Sequence, residues 1–467
     1  MSIISEKTSE ITLLEGEIKK ELIALALPLL LGNILQQLYN TADALIAGQF
    51  LGTDAFAAVG VAGSVMNLFI FMLNGFCVGL SVIFAQLYGA GNQAAFRREV
   101  FVAVSLGSLI TLLLSISSIA ALQPVLSLIH TPPGLTGQVS AYLNVIIAGM
   151  IATYFYNLFS GILRSVGNIN AALYFLFLSV VLNVAFDYLF VALFSFGVAG
   201  AAWATVLAQS ISASGCFCYL LKRYGRLLCR RKDAGIHRDL ARQTLAFGCA
   251  SALHQASLYL GKILVQGAVN TLGTPGIAAY TAATRIEGFA NSFGDSGSQA
   301  MSVFISQNYG AGNERRVSEG LRRGLYLHVM LGAALSVIMF VSAKAGMLIF
   351  LTPDETPALD YGISYLKIIS AFYVLCFVGC AFVGYFRGIG KVLVPVLGTT
   401  LHIGLRVLLS CFLVSKLGLS AVAIATGFGW IIVVLYQSIT YKKGRASGTG
   451  PCRQRESRIS GIPRQPD

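Results

Sequence analysis

QLYGAGN at residues 86–92 and QNYGAGN at residues 307–313 are copies of one short polar phrase, 221 positions apart in a chain of 467 residues. Three other pairs of segments recur at almost the same interval: LGTDAFAAVGVA (51–62) with LGTPGIAAYTAA (272–283), GILRSVGN (161–168) with GYFRGIGK (384–391), and FGVAGAAWAT (196–205) with LGLSAVAIAT (417–426). We therefore predict a tandem duplication. The phrase is predicted to end the same helix in each copy, because its glycines permit the turn that stops a helix.

Composition places both copies in a membrane. Hydrophobic residues make up 56% of the chain and charged residues 11%, whereas about 25% of a soluble protein is charged. Apolar stretches of about 20 residues are typical of membrane-spanning helices. Twelve such stretches are predicted, near residues 22–46, 56–84, 100–122, 139–163, 170–194, 197–221, 242–268, 276–305, 324–350, 361–386, 392–415 and 418–441.

The predicted fold is all-α, with twelve transmembrane helices in two parallel six-helix repeats that form two lobes around a central cleft. An even number of spans per copy gives both copies one orientation, as in parallel repeats. The predicted divisions are an N-terminal segment, an N-lobe, a linker, a C-lobe and a basic tail, at residues 1–21, 22–221, 222–241, 242–441 and 442–467.

Basic residues predict the orientation. With twelve spans both termini lie on one side, and 27 of the 33 Lys and Arg residues lie on that side. Loops rich in Lys and Arg stay in the cytoplasm, so we expect a multi-pass protein of the inner membrane with both termini, the linker and the tail cytoplasmic. The net charge of +13 is explained in this way rather than by nucleic-acid binding, because no single soluble face carries it.

The pattern does not predict an enzyme. The nine cysteines have no zinc-site spacing, and the glycine phrase lacks the strand and the Lys-Ser/Thr pair of a phosphate-binding loop. We expect no cofactor or metal other than a coupling ion, and a protein that functions as a monomer. Its expected partners are small organic substrates and the lipid bilayer.

The first predicted span carries a polar stripe. Gln36, Tyr39, Asn40 and Asp43 are spaced i, i+3, i+4 and i+7, which places them on one helix face. In lipid such a face must turn toward protein or water. An acid inside the membrane is costly unless it is paired or protonated, and it is therefore a functional candidate.

A second stripe lies on the fifth span, where Asn183 and Asp187 are one turn apart, and Thr205 is on the sixth. With a rise of about 1.5 Å per residue, Asp43, Asp187 and Thr205 fall at similar depth in the outer half of the membrane. Two acids without a nearby base predict a proton site, and the added Asn and Thr oxygens also suit Na⁺. The alternative is that the acids only hydrogen-bond neighbouring helices.

The second copy is chemically different. Lys262 stands where the first copy has its acid, and the acids Glu287 and Asp295 lie in the eighth span. With Arg285 and Arg406 these residues are predicted to form an internal network of ion pairs. Alternatively, Glu287 attracts a cationic substrate near the middle of the membrane.

The opening EGEIKKELIALALPLLLGNILQQLYNTADALIAGQFLG (15–52), the repeated phrase and the Arg164 and Arg387 segments resemble multidrug and toxic compound extrusion (MATE) transporters. The resemblance spans about residues 15–440. It implies that the chain is similar to the branch of the family whose cation site lies in the N-terminal lobe. The functional residues of that branch are similar to Pro28, Gln36, Tyr39, Asp43, Asn157, Asn183, Asp187 and Thr205. A second branch uses an acid in the seventh span, where this chain has His254, Gln255 and Lys262, so that branch does not fit.

Resemblance and residue pattern together predict a secondary antiporter that exports amphipathic, often cationic, organic compounds in exchange for H⁺ or Na⁺ by alternating access. The alternative is a flippase for lipid-linked saccharides, which would favour a cationic cleft. The bases of the C-lobe are consistent with a flippase, whereas the acids of the N-lobe argue against it. The predicted cation-coupling residues are Asp43, Asn183, Asp187 and Thr205, the substrate-binding residues are Gln36, Tyr39, Asn40, Asn157 and Glu287, and the hinge is Pro28.

Overall fold

The computed structural model describes residues 13–128, 131–228, 233, 235 and 237–446, and their secondary structure is helical throughout. A π-helical segment, Tyr188–Leu193, continues the fifth helix, and a 3-10 turn, Gly225–Leu227, follows the sixth. The predicted N-terminal segment, linker and basic tail lie partly outside the described residues. The α-helices are α1 (Ile18–Gly89), α2 (Gln93–Leu128), α3 (Pro133–Ala148), α4 (Met150–Ser165), α5 (Ile169–Asp187), α6 (Gly197–Tyr224), α7 (Arg238–Asn270), α8 (Gly273–Gly310), α9 (Glu314–Val341), α10 (Ala343–Met347), α11 (Thr356–Ser370), α12 (Tyr373–Gly388), α13 (Leu393–Leu417) and α14 (Ser420–Ala446).

Helix α1 folds back on itself. Its helical backbone runs for 72 residues, which would be about 108 Å long if it were straight. Both of its ends nevertheless reach the junction of α8 and α9: Glu21 pairs with Arg316 at 2.7 Å, and Gly89 packs on Gln307. The helix therefore supplies two antiparallel spans, Ile18–Tyr39 and Ala58–Gly89.

All twelve predicted spans correspond to helices. Eight helical segments are long and apolar enough to cross a membrane, and two more spans are the bent pairs α3–α4 and α11–α12. The remaining two are α7 and α8, of 33 and 38 residues. They are long enough to span, and their lower hydropathy comes from the polar and charged side chains that they carry between the lobes.

The fourth and tenth predicted spans are broken helices rather than continuous ones. The axes of α3 and α4 differ by 44°, and those of α11 and α12 by 54°. Gly149 separates α3 from α4, and a Cβ there would lie 2.2 Å from Val206, so close packing with α6 requires glycine. Because the breaks fall at matching places in the two copies, the duplication includes the irregularity.

The two lobes meet through their first and second spans. Asn33 of α1 donates to the Ser296 hydroxyl of α8 at 2.9 Å. In the other half of the interface, Tyr259 of α7 donates to the Ser64 carbonyl of α1 at 2.8 Å, and its ring stacks on Phe71 with centroids 5.6 Å apart. The first span of each copy therefore packs on the second span of the other copy.

The two copies of the QxYGAGN phrase contact each other at one end of this interface. A Cβ on Gly89 would lie 2.0 Å from the Gln307 carbonyl oxygen, and a Cβ on Gly310 would lie 2.0 Å from that of Gln86. The helices α1 and α8 thus cross backbone to backbone, which only glycine permits. The predicted ending of both helices is confirmed, since α1 ends at Gly89 and α8 at Gly310.

The glutamines of the phrase also join the lobes. Gln86 donates to the Gly388 carbonyl at 2.8 Å, and Gln307 donates to the Ser165 carbonyl at 2.6 Å. Each bond runs from one lobe to the end of a helix in the other lobe, α12 and α4 respectively. The cleft is therefore closed at the end of the molecule that carries the phrase.

An arginine after each copy of the phrase holds the segment that leads into the other lobe. Arg97 pairs with Asp233 of the linker at 2.6 Å. Arg316 pairs with Glu21 at 2.7 Å and donates to the carbonyl of Leu13 at 3.1 Å. These pairs are partly shielded from solvent and fix the entries to α7 and α1 at the closed end.

Candidate ion and substrate site

Three of the four predicted cation-coupling residues lie together inside the N-lobe. Asn183 and Asp187 come from α5 and Thr205 from α6, and their exposed fractions are 1%, 0% and 7%. The Tyr39 hydroxyl of α1 lies 3.1 Å from the Thr205 hydroxyl. The structure thus joins the polar faces of three helices around a buried carboxylate.

The hydrogen bonds of this cluster form a directed chain. In the amide orientation that satisfies its neighbours, Asn183 donates to the Asp187 carboxylate at 3.0 Å and accepts from the Thr205 hydroxyl and backbone N–H, each at 3.3 Å; this orientation is assigned from the network. Tyr39 can then donate to Thr205. Donors point from Tyr39 through Thr205 and Asn183 to Asp187, so the chain stabilises negative charge on Asp187.

The backbone changes form beside this carboxylate. Helix α5 ends at Asp187, and a π-helical segment, Tyr188–Leu193, begins at the next residue. Such wide turns are rare and often lie at functional sites. Ser195, just beyond, is the one described residue other than glycine with a positive φ, 53°. The local strain therefore lies on the side of the candidate site that is away from the repeated phrase.

The other N-lobe predictions have different outcomes. Asn40 and Asp43 lie on α1, but their side chains are outside those that the structure describes. Gln36 is exposed and does not enter the Tyr39–Asp187 chain. Asn157 donates to the Thr153 carbonyl of its own helix at 2.9 Å. Their roles in binding ion or substrate stay predictions.

Pro28, the predicted hinge, lies inside α1. Proline cannot donate the backbone hydrogen bond that its position would otherwise make, which allows a helix to bend. Five residues later Asn33 is anchored to Ser296. A bend at Pro28 that moves the part of α1 beyond it, including Tyr39, relative to the C-lobe would therefore have to break the Asn33–Ser296 bond.

The C-lobe has its own polar cluster. Glu287 is buried, with 8% of its surface exposed, and accepts from the Tyr365 hydroxyl at 3.1 Å. Arg406 donates to the Tyr280 hydroxyl at 3.2 Å. The two tyrosine rings meet edge to face with centroids 5.9 Å apart. Two phenols thus hold one carboxylate and one guanidinium side by side.

The predicted network of direct ion pairs in the C-lobe is wrong. Among the described residues the five charged side chains make no ion pair within 4.0 Å with one another. Lys262, Arg285 and Asp295 are instead exposed. The charges of Arg406 and Lys262 act on Glu287 from a distance, while the direct hydrogen-bond partners of Glu287 and Arg406 are the hydroxyls of Tyr365 and Tyr280.

A polar stripe on α7 was missed in the sequence. Gln255, Tyr259, Lys262 and Gln266 are spaced i, i+4, i+7 and i+11, so they share one face. Tyr259 marks this face as the one toward α1. The spacing itself indicates a polar face, although the stripe contains no acid. The C-lobe also pairs Arg387 with His254 at 3.1 Å.

These features define a class of protein. Two parallel helical repeats meet around a cleft that is closed at one end, and a polar cluster lies inside each lobe. This is the architecture of a membrane transporter with a site between its repeats.

No group of three or more His, Cys, Asp and Glu residues within the described part of the chain is arranged to hold a metal ion.

Comparisons with known proteins identify the family. The family model MatE matches residues 28–189 and 250–412, one stretch in each lobe. "Probable multidrug resistance protein YpnP" of Bacillus subtilis is 25% identical over 434 residues, covering 92% of this chain and 96% of the relative. "Probable multidrug resistance protein NorM" of Thermotoga maritima is 27% identical over 401 residues and covers 83% of each chain.

A solved structure agrees in fold. The crystal structure of "MATE in the bent conformation" superposes with a TM-score of 0.87 at 25% identity, covering 96% of this chain and 99% of the other. The chain belongs to the MatE family and is a multi-pass membrane transporter.

Proposed function

We propose that the protein exports amphipathic, often cationic, organic compounds from the cell in exchange for H⁺ or Na⁺. The observation that carries this proposal is the chain of hydrogen bonds that runs from Tyr39 through Thr205 and Asn183 to the fully buried Asp187. A carboxylate inside a membrane protein costs about 3 kcal/mol or more unless it is paired or neutralised. An arriving cation supplies that neutralisation.

The ion acts at Asp187. A proton would bind a carboxylate oxygen, and Na⁺ would take oxygens from Asp187, Asn183 and Thr205; Asp43 is proposed as a further ligand from the first span. Either ion removes the negative charge that the donors of the chain face. The chain then rearranges, and Tyr39 links that rearrangement to α1.

The hinge transmits the change. Pro28 permits α1 to bend, and the bend displaces the exposed Gln36 and its neighbours, which we propose line the substrate path with Tyr39, Asn40, Asn157 and Glu287. A solved structure of this fold is described as MATE in the bent conformation, which supports a fold that can bend. Ion and substrate then exclude each other, and each lowers the other's affinity by the same factor.

The proposed setting follows the charge pattern. The protein lies in the inner membrane with both termini in the cytoplasm, and the closed end of the cleft faces inward. It functions as a monomer, with no cofactor beyond the coupling ion and no nucleic-acid partner. Small organic molecules and the bilayer are its partners.

The test is transport by purified protein in liposomes. Efflux of a fluorescent cationic dye is followed under an imposed proton gradient and, separately, under a sodium gradient. The wild type is expected to respond to one of them. Asp187→Asn keeps the size and hydrogen-bonding capacity of the side chain but loses the charge, so gradient-driven efflux should fall by at least tenfold while the protein still folds.

Asp360→Asn is the matched control, because Asp360 is an exposed acid on α11 away from the cluster. It should transport as the wild type does. Gradient dependence that survives intact in Asp187→Asn would show that the N-lobe carboxylate is structural. If the wild type moves the dye under neither gradient, coupled export of such dyes is ruled out.

A further inference from the structure

A buried acid lies between the lobes at the closed end of the cleft. Glu99, in the second turn of α2, is 0% exposed and accepts from the Thr244 hydroxyl of α7 at 2.8 Å. Because α2 belongs to the N-lobe and α7 to the C-lobe, this bond crosses the interface. Phe247, about one turn after Thr244, packs in the same apolar cluster as Phe96 and Val100 of α2. Separation of the lobes at this end would therefore break the bond and expose Glu99 to water.

Glu99 has no charged partner. Within the described part of the chain it makes no ion pair within 4.0 Å, and its Oε2 is buried without a hydrogen-bond partner. Arg97, two residues earlier, is paired with Asp233 at 2.6 Å. The Tyr154 hydroxyl of α4 donates to the Ala103 carbonyl at 2.6 Å. The neighbouring donors are therefore engaged elsewhere.

The elements packed on α2 are α1, α3, α4, α7 and the 3-10 turn. The one titratable group on α3 is Tyr142, which donates to Met66. Three charged residues at the start of α7, Arg238, Asp239 and Arg242, are exposed. The other titratable or charged groups toward this end are Cys77 and Tyr88 of α1, Tyr154, Tyr156 and Arg164 of α4, Arg226 of the turn, and Asp233 and His237 before α7. Among these described residues none forms an ion pair with Glu99, so a negative charge there would be uncompensated.

The hydrogen bonds of Thr244 indicate a proton on Glu99. The Thr244 hydroxyl lies 2.8 Å from the Glu99 carboxyl and 2.8 Å from the Leu240 carbonyl of its own helix, and a threonine hydroxyl has one hydrogen to donate. If Glu99 carries a proton, it donates to the Thr244 oxygen while Thr244 donates to Leu240, and both contacts are satisfied. This placement of the hydrogens is assigned from the network. It also removes the cost of burying an unpaired charge.

The second copy shows that the fold does not need this acid. Gly320 occupies the position of Glu99, since each follows its copy of the phrase by the same interval. A Cβ there would lie 2.6 Å from the Phe304 ring. The buried acid where α1 meets α9, Glu21, is paired with Arg316 at 2.7 Å. Glu99 has neither a cation nor a counterpart in the repeat, which points to a role beyond packing.

From these observations we infer that Glu99 binds a proton from the cytoplasm and acts as a pH sensor at the closed end of the cleft. In the closed state the acid is neutral and buried. When the lobes part, water reaches it, and a hydrated glutamate has a pKa of about 4.3, so it ionises. The closed state therefore holds one proton more than the open state. A falling pH then favours closure, by up to about tenfold per unit of pH.

This site is separate from Asp187. The proton of Glu99 enters and leaves at one end of the molecule, so it regulates opening and does not drive transport. The inference rests on the inward closure and alternating access of the proposed export function, but it requires neither Asp187 nor a particular substrate. An acidified cytoplasm would hold the exporter closed on that side, and a more alkaline one would let it open.

The test measures closure directly. In a protein whose nine cysteines are replaced by serine, spin labels are attached to cysteines introduced at two exposed residues, Lys222 of α6 and Ser318 of α9, one in each lobe. Their distance distribution is measured by double electron–electron resonance in nanodiscs from about pH 6 to about pH 9. The closed fraction should fall as the pH rises. Glu99→Gln, which is neutral at every pH, should stay closed across the range.

Two further variants make the result specific. Asp239→Asn removes an exposed acid from the same end of α7 and should respond to pH as the unsubstituted protein does. Thr244→Val removes the acceptor of the Glu99 proton, which destabilises the closed state, so the half-closed point should move to lower pH. A closed fraction that does not change with pH, or one that falls as steeply in Glu99→Gln as without it, would overturn the sensor.

Protonation is measured independently by infrared spectroscopy, which does not depend on the folding of Glu99→Gln. At neutral pH the spectrum of the unsubstituted protein should contain the carbonyl stretch of a buried neutral carboxyl. Thr244→Val should shift that band, because the proton of Glu99 loses its acceptor. Identical carboxyl bands in the two proteins would show that Glu99 is ionised and contradict the inference.

Export is measured separately in liposomes. If no ion gradient drives efflux while closure still depends on pH through Glu99, the proposed antiport is contradicted and the sensor stands. If efflux follows an ion gradient and closure does not depend on pH through Glu99, the sensor is contradicted and the antiport stands. The two proposals therefore fail in distinguishable ways.

Discussion

Among single residues, Thr205 connects the first helix to the buried acid. Its hydroxyl lies 3.1 Å from that of Tyr39 and 3.3 Å from the Asn183 amide. Thr205→Val replaces the hydroxyl with a methyl group of similar size and breaks the chain at its middle. We expect the ion concentration for half-maximal transport to change by roughly tenfold, since a buried donor or acceptor is left unsatisfied. Dye efflux against a series of ion concentrations measures it.

The duplication supplies the control. Thr426 is the counterpart of Thr205 in the second copy, and its hydroxyl donates to the Val422 carbonyl of its own helix at 2.7 Å. The matching carbonyl of Ala201 lies 3.3 Å from the Thr205 hydroxyl and is an alternative acceptor for its single proton. Thr426→Val therefore loses a hydroxyl bonded to its own helix without interrupting the Tyr39–Asp187 chain. If both variants shift the ion dependence equally, the Tyr39–Asp187 chain has no part in coupling.

The sequence predicted the buried polar residues of the site but not all of their hydrogen-bond partners. Asn183, Asp187 and Thr205 were predicted because polar residues on apolar helices must meet other polar groups. Tyr365 was not predicted, because a tyrosine on an amphipathic helix reads as ordinary core until Glu287 is seen 3.1 Å away. The number of charges alone favoured ion pairs, whereas in the structure Glu287 accepts from the Tyr365 hydroxyl and Arg406 donates to the Tyr280 hydroxyl.

Among the helices, the crossing of α1 and α8 closes one end of the cleft. A methyl group at Gly89 would lie 2.0 Å from a backbone oxygen of Gln307, which a side-chain rotation cannot relieve. Gly89→Ala should therefore separate the lobes at this end, with an overpacking cost of about 1–3 kcal/mol. We expect reduced efflux and faster labelling, in purified protein, of a cysteine introduced at Gln86.

Gly63→Ala tests whether any added methyl group on α1 has this effect. Gly63 lies in the same helix with no atom within 4 Å of the added carbon. It should leave labelling and efflux at wild-type values. Normal efflux and slow labelling in Gly89→Ala would mean that the crossing is not a closure point.

The existence of the helices was predictable, but their breaks were not. A long apolar run predicts a membrane span whether the helix is straight or bent. The apolar run at 139–163 therefore did not predict the 44° turn between α3 and α4. The contact that accompanies the break is tertiary, since Val206 occupies the space beside Gly149. The contact between the two phrases was also hidden, because sequence identity shows repetition and not that the copies meet.

In the whole molecule, shape is duplicated while chemistry is not. Both lobes share the broken fourth helix, the phrase, the glutamine bonds and the arginine pairs at the closed end. Inside, the N-lobe buries Asp187 among neutral donors, whereas in the C-lobe Glu287 accepts a hydrogen bond from Tyr365 and is acted on from a distance by the charges of Arg406 and Lys262. We propose that the similar ends allow the two lobes to rock against each other, and that the different interiors allow the N-lobe to bind the ion and the C-lobe to bind the substrate.

The orientation of the molecule is tested at position 235. Gly235 lies in the linker beside Asp233, which Arg97 holds at the closed end at 2.6 Å. Because basic residues gather on this side, it should face the cytoplasm. In a variant whose nine cysteines are replaced by serine, Gly235→Cys should resist an impermeant maleimide added to intact cells and react after permeabilisation. Asp354→Cys, in the loop before α11 at the opposite end, should react in intact cells. The reverse pattern would turn the closed end outward and contradict inward closure of the exporter.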